Sequence, residues 1–136
     1  MSESLSGKTL LITGAVKRLG RIFALACARE GANVVIHHAH LDEEVESVRA
    51  EIVQLGRDAW VLKTDLSVPS EAEGLIPLVY KSTPLHGLVN SVAIFGSLCP
   101  ATTSLEDWHA HLQINLTALF LLSRHLPGGR RKELES

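Results

Sequence analysis

The chain has 136 residues, of which 46% are hydrophobic, and its formal net charge at pH 7 is −2. This length predicts one domain with a sizeable core, the hydrophobic content argues against disorder, and the small charge gives no reason to expect nucleic acid as a partner. The longest apolar run near the carboxyl terminus, 116–122, is too short to span a membrane, and the polar start is wrong for a signal peptide, so the expected location is cytoplasmic.

The spacing of apolar residues predicts strands that alternate with helices. We expect strands at 8–12, 33–38, 59–63 and 85–91, and helices at 19–30, 42–55, 70–82 and 104–126. Ser104 is a candidate cap of the last helix, and Pro77 should kink or shorten the third. Strands separated by helices of this length predict the α/β class, with a doubly wound parallel sheet covered by helices on both faces.

The stretch 13–20, Thr-Gly-Ala-Val-Lys-Arg-Leu-Gly, joins the first strand to the first helix. A glycine-punctuated turn in this place is typical of a site for a nucleotide diphosphate. Gly14 permits the tight turn, and Gly20 lets the backbone approach phosphate and the neighbouring strand closely. The helix N-terminus offers free N–H groups and a positive dipole end to the anion. The turn therefore predicts nucleotide binding.

Four motifs follow one another along the chain: the stretch 13–20, Asp-Leu at 65–66, Leu-Val-Asn at 88–90 and Ile-Asn-Leu at 114–116. In this order they resemble the short-chain dehydrogenase/reductase superfamily. The resemblance implies a Rossmann-type sheet of order 3-2-1-4, truncated after the fourth strand and its helix. Residues 1–126 are then the NADP-binding half of the family's domain, and 127–136 are a polar tail unlike it. The Lys-Arg pair is most similar to the pteridine reductase branch, because the commoner pattern has glycine where Arg18 stands.

The end of the second strand, His-His-Ala-His at 37–40, bears on the choice of cofactor. Dehydrogenases that use NAD typically carry an acidic residue there, which bonds the ribose 2′-OH, whereas no carboxylate appears here before Asp42. Lys17, Arg18 and His40 offer cations for a 2′-phosphate. We therefore expect NADP(H) rather than NAD(H), and the alternative interpretation is a solvated basic turn.

The resemblance also implies further contacts with the cofactor, at Gly14, Leu19, Gly20, Asp65, Leu66 and Asn90. Asp65 and Leu66 match the pair that contacts the adenine, although an Asp in this place can also simply cap a turn. Phe95 stands where pteridine reductases stack a Phe on the pterin ring, and ordinary loop packing is the alternative. The family's usual Asn-Asn-Ala-Gly is replaced here, so Val92 adds bulk where the chain passes the cofactor.

Asn115 matches the asparagine of the family's Asn-Ser-Tyr-Lys catalytic set, where a distorted helix lets it act on the lysine through water. No Tyr-x-x-x-Lys occurs in this sequence, and its one tyrosine, Tyr80, fits a helix surface. Without the phenol, hydride transfer lacks an acid partner. Three hypotheses follow: the amino-terminal half of an NADP(H)-dependent reductase of carbonyls or pterin-like C=N bonds, a non-catalytic NADP-binding module, or an unproductive gene fragment.

The remaining features concern metals and partners. The histidines lack metal-site spacing, and two cysteines are too few for a disulfide framework. A small molecule is the only expected substrate, with neither nucleic acid nor membrane as partner. Because 116–122 is apolar nearly all round and the fourth strand would be a bare edge, we expect self-association through the last helix.

Overall fold

The computed structural model describes residues 4–40, 43–92 and 101–126. Its strands are β1 Thr9–Ile12, β2 Asn33–His38, β3 Ala59–Lys63 and β4 Gly87–Val89. Its α-helices are α1 Arg18–Arg29, α2 Val45–Gln54, α3 Pro69–Tyr80, α4 Leu105–Leu112 and α5 Ala118–Ser123, with a π-helical segment at Gln113–Thr117 between the last two. Each predicted element is present, and β2 and β3 have the predicted bounds.

The four strands form one parallel sheet in the order β3-β2-β1-β4. Leu11 of β1 pairs with Val35 on one side and with Leu88 on the other. The predicted doubly wound α/β fold and its strand order are therefore confirmed. Within the described residues β4 has β1 as its one neighbour and forms the edge of the sheet.

Successive residues of β1 point to opposite faces of the sheet, and each face carries its own core. Leu11 belongs to the core under α3 and α5, whose buried members include Leu75, Ile76, Val79, Leu121 and Leu122. Ile12 belongs to the core under α1 and α2, whose buried members include Ala24, Ala28, Val48 and Ile52. Burial on both faces explains why the strands read as continuous apolar runs.

The third helix contains Pro77 in its interior and ends at Tyr80, two residues before the predicted end at 82. A proline removes one backbone hydrogen bond and costs about 3 kcal/mol in a helix interior. Ile76 and Val79, which flank Pro77, are almost completely buried, and burial of such side chains stabilises by roughly 1.5–3 kcal/mol each. Core packing therefore outweighs the local preference. Tyr80 is partly exposed at the end of the helix, as expected.

The last helical region is the other difference, since the predicted single helix is interrupted by the π-helical segment. It begins as predicted at Ser104, whose hydroxyl accepts from the Asp107 N–H at 3.0 Å. The side chains of Leu116 and Phe120 are 62% and 61% exposed, whereas Leu122 is fully buried. One face of this region is thus covered and the other is open. No helix of the described residues is long and apolar enough to cross a membrane.

Candidate functional site

The glycine turn follows β1 directly and lies against the end of β2. Gly14 has φ +61°, a backbone conformation that favours glycine. Its N–H donates to Nδ1 of His37 at 3.1 Å, and the Ala15 N–H donates to the His37 carbonyl at 3.0 Å. Two backbone donors of the turn are therefore held by β2. A bound anion must use other N–H groups.

Those other groups belong to the first turn of α1, whose N–H groups have no partner within the helix. This first turn carries no acidic residue, so no carboxylate within it neutralises the positive end of the helix dipole. Leu19 lies in this turn and is exposed. The helix start therefore has the character of an anion site, as the sequence predicts.

Gly20 allows the helix start to rest on the turn. A Cβ at this position would overlap the carbonyl oxygen of Gly14 and lie 2.7 Å from its carbonyl carbon. The close approach that Gly20 permits is thus to the peptide of Gly14. Val92 packs on the other side of the turn, where its Cγ2 would lie 2.8 Å from a Cβ on Gly14.

Arg18 begins α1 with φ +53°, and it is the one non-glycine residue of the described chain with positive φ. A side chain in this left-handed region costs roughly 1–2 kcal/mol. The conformation explains why glycine is the commoner residue of the resembled family at this position. The strained backbone holds a guanidinium at the start of the helix, next to Lys17, the N-cap residue.

Thr13 and His37 tie together the carboxyl ends of all four strands, and sequence reasoning assigned neither of them a role. The Thr13 hydroxyl oxygen accepts from the N–H groups of Ser91 and Val92, at 2.9 and 3.2 Å, just after β4. His37 reaches the turn after β1 through Nδ1 and the carbonyl of Thr64, just after β3, through Nε2 at 2.9 Å. The signal that the sequence offered for His37 was a polar residue at the end of an otherwise apolar strand. The Thr13 bonds also explain why β4 ends at Val89 and not at the predicted 91.

The partners of His37 determine its protonation. The Gly14 N–H can only donate, so Nδ1 must carry a lone pair, and the Thr64 carbonyl can only accept, so Nε2 must carry the proton. The imidazole is therefore neutral. Burial lowers the pKa of His37 to about 4, against an opposing contribution from the Thr64 hydrogen bond and with a smaller lowering effect of His38.

Asp65 shapes the turn after β3. One of its carboxylate oxygens accepts from the N–H and the hydroxyl of Ser67, at 2.9 and 2.6 Å. These hydrogen bonds, with a smaller effect of His40, lower the pKa of the Asp65 carboxyl. The turn-capping interpretation is therefore realised, and contact with an adenine stays a prediction. Leu66 is buried, and its carbonyl accepts from the Gln113 side chain at 3.2 Å.

The other predicted site residues differ in what the structure says of them. Asn90 is exposed directly after β4, and His40 is exposed beyond β2. Both therefore lie at the carboxyl edge of the sheet, where ligands of open α/β sheets bind. Phe95 lies outside the described residues.

Asn115 is at the middle of the π-helical segment Gln113–Thr117. The helix distortion that the resemblance implies is therefore present at the predicted residue. A π-turn frequently marks a functional position, because it changes which way a side chain and a carbonyl point. The link from Gln113 to Leu66 fixes this segment against the turn after β3.

A cleft of about 520 Å³ lies beside this link, lined by Ser67, His109, Ala110, Leu112, Gln113 and Thr117. No residue of the glycine turn or of the start of α1 is among those that line it. Among the described residues no group of three His, Cys, Asp or Glu side chains is arranged to hold a metal ion.

A family profile described as short chain dehydrogenase matches residues 8–128. The chain belongs to the short-chain dehydrogenase family. It is 36% identical over 129 residues to a short-chain type dehydrogenase/reductase of Picea abies, covering 88% of this chain and 48% of that protein. It is also 36% identical over 102 residues to an L-rhamnose 1-dehydrogenase (NAD(P)(+)) of Sphingomonas sp., covering 75% of this chain and 39% of that protein.

A solved short chain dehydrogenase from Burkholderia cenocepacia, in complex with NADP, has the same fold with a TM-score of 0.84 and 31% sequence identity. The match covers 90% of this chain and 52% of that one. The short-chain dehydrogenase chain described here thus spans about half the length of the relatives it matches.

Proposed function

We propose that this chain binds NADP(H) at the glycine turn and represents the cofactor-binding half of an NADP(H)-dependent oxidoreductase that reduces a carbonyl or a pterin-like C=N bond. The observation that carries the proposal is the pairing of Arg18, at the helix start after β1, with the absence of any carboxylate over residues 33–40. A 2′-phosphate requires cations, whereas a free ribose 2′-OH is usually met by an acidic residue. The NADP complex of the Burkholderia relative supports the same choice.

The residues of the turn fit such a cofactor. The diphosphate would be held at the first turn of α1 by its N–H groups and the helix dipole, because the Gly14 and Ala15 donors already bond His37. Arg18 would bind the 2′-phosphate with its planar fork of N–H donors, assisted by Lys17 and His40. Asn90 would border the adenine ribose. The bound nicotinamide supplies the hydride, and the protein supplies position and charge.

Replacement of Arg18 by Ala is expected to weaken NADPH binding about ten- to a hundredfold and to leave NADH binding unchanged. The reason is that a hydrogen bond to a charged group contributes roughly 1.5–3 kcal/mol, and tenfold corresponds to 1.4 kcal/mol. Calorimetric titration of each variant with each of the two cofactors measures the effect. Arg29→Ala, at the other end of α1, is the matched control for charge. Equal wild-type affinities for NADPH and NADH contradict the proposal.

Arg18→Gly separates the charge of this residue from its backbone strain. Glycine adopts φ +53° without the steric penalty, so this variant should unfold with a free energy about 1 kcal/mol higher than that of Arg18→Ala. Its affinity for NADPH should nevertheless match that of Arg18→Ala, since both lack the guanidinium. An Arg18→Gly variant that kept full NADPH affinity would show that the guanidinium does not bind the phosphate.

The second candidate function is cofactor binding without hydride transfer, and the sequence itself favours it, since none of its 136 residues forms Tyr-x-x-x-Lys. We expect this polypeptide to oxidise NADPH no faster than its Gly14→Val variant in the presence of aldehydes, ketones or pterins. The loss of NADPH absorbance over time measures this. A rate clearly above that of the variant contradicts the expectation and favours a complete reductase site.

A further inference from the structure

Two histidines hold the two ends of β1 in the same way. At the start of the strand the Thr9 N–H donates to Nδ1 of His86 at 2.9 Å. Just past its end the Gly14 N–H donates to Nδ1 of His37 at 3.1 Å. The first bond lies at the amino edge of the sheet and the second at the carboxyl edge, beside the anion site. His37 is therefore a candidate site residue, and His86 is a matched control for it within the same chain.

His37 differs from His86 in burial and in having a second partner. Its side chain is fully buried at the end of β2, whereas His86 is exposed. Its Nε2 donates to the Thr64 carbonyl, so one ring spans from the turn after β1 to the turn after β3. The backbone of His37 adds the bond from Ala15. One residue thus holds the glycine turn through two hydrogen bonds, and a third anchors its ring on the turn after β3.

This arrangement has a consequence for the anion site. The Gly14 N–H belongs to the peptide that joins Thr13 to Gly14, and its bond to Nδ1 of His37 fixes that peptide. The next peptide carries the Gly14 carbonyl, on which Gly20 rests, and the Ala15 N–H, which donates to the His37 carbonyl. The start of α1 therefore takes its position from two successive peptides that His37 holds, the first through its side chain and the second through its backbone. Loss of the side-chain bond would let the first peptide rotate, and the N–H groups of the first helical turn would move relative to the strand.

We propose that His37 is a positioning residue for the cofactor, which sets the glycine turn by accepting from the Gly14 N–H while its Nε2–H anchors the ring on the Thr64 carbonyl. The proposal rests on the proposed function, because it names the cofactor as NADP(H). It assigns the bond at Nδ1 to binding and the bond at Nε2 to anchoring.

Two substitutions separate the two bonds. In His37→Asn the amide oxygen takes the place of Nδ1, so the acceptor for Gly14 is kept and the anchor is lost. In His37→Gln the amide nitrogen takes the place of Nε2, so the anchor is kept and the acceptor is lost. We expect His37→Gln to weaken NADPH binding about tenfold and His37→Asn to stay within about threefold of wild type. His86→Gln should leave NADPH affinity unchanged.

The test combines NADPH titration with hydrogen exchange of the Gly14 amide in the wild type and in all three variants. Protection of this amide is expected to survive His37→Asn and His86→Gln and to fall in His37→Gln. Equal affinities of the Asn and Gln variants, or unchanged protection in His37→Gln, overturn the proposal. If the wild type bound no NADPH, the proposed function would fail, and amide protection would still decide whether His37 holds the turn. If a variant does not fold, the ¹⁵N chemical shifts of the His37 imidazole in the wild type provide the test instead. A protonated Nδ1 in that measurement overturns the proposal.

Discussion

Gly20→Ala is expected to destroy the glycine turn and with it any nucleotide binding. The added methyl group would overlap the Gly14 carbonyl oxygen and come within 3.2 Å of the Ala15 Cα. All of these atoms are backbone, so no side-chain rotation relieves the overlap, and α1 must shift away from β1. Because overpacking of this kind typically costs roughly 1–3 kcal/mol or more, we expect a loss of at least about 3 kcal/mol in unfolding free energy.

Gly74→Ala is the matched control for this prediction. Gly74 lies inside α3, and a Cβ there would meet nothing within 4 Å. Alanine in a helix interior is more favourable than glycine by roughly 0.5–1 kcal/mol, so this variant should be more stable than wild type. Urea unfolding followed by circular dichroism, together with NADPH titration, measures both variants. Full stability of Gly20→Ala would show that the turn and helix do not approach as described.

Acidification from pH 7 to pH 5 is expected to lower the free energy of unfolding by about 2 kcal/mol through His37 alone. Its pKa is about 4 in the folded chain and near 6.5 when unfolded, so between these values the unfolded state binds a proton that the folded state does not. Stability from this residue is complete above pH 6.5 and falls as the pH drops towards 4. The full effect is about 3 kcal/mol, because a tenfold difference in proton affinity between the two states corresponds to roughly 1.4 kcal/mol.

The measurement is the free energy of unfolding in urea at pH 7, 6 and 5, for the wild type and for His37→Asn. The variant removes the titrating imidazole and leaves every other ionisable side chain in place. The difference between the two curves therefore isolates His37. Wild type should lose more stability than the variant across this range. Parallel curves would mean that the imidazole is accessible to protons in the folded chain.

Local patterns in the sequence were sufficient for the fold class and the strands. The bounds of β2 and β3 were correct because apolar runs punctuated by glycine mark buried parallel strands, whereas the strand order followed from the resemblance to the short-chain dehydrogenase/reductase superfamily. The glycine turn was also predictable, since Gly14 and Gly20 mark positions where a side chain cannot be placed. The capping role of Ser104 was predictable because its partner, the Asp107 N–H, is only three residues away in the sequence.

The features that sequence reasoning missed depend on partners far along the chain. Thr13 binds a segment 78 residues away, and His37 binds the carbonyl of Thr64 at a separation of 27. No spacing rule connects such residues, because the sheet brings them together only after it has formed. The continuation of α3 past Pro77 depends on partners of the same kind, since the core contacts of this helix come from other elements.

The position of β4 at the sheet edge has a consequence for how the site fluctuates. Among the described residues, three residue pairs, the Thr13 hydroxyl and the His86 imidazole connect this edge to β1, so we expect its local opening to require less free energy than global unfolding. Opening would separate Asn90 from the glycine turn while the pairing of β1 with β2 stays intact. A nucleotide that contacted both Asn90 and the glycine turn would favour the form in which β4 is paired with β1, by mass action. Part of the binding free energy of such a nucleotide would then be used to keep β4 paired with β1, so its affinity would depend on the stability of that pairing.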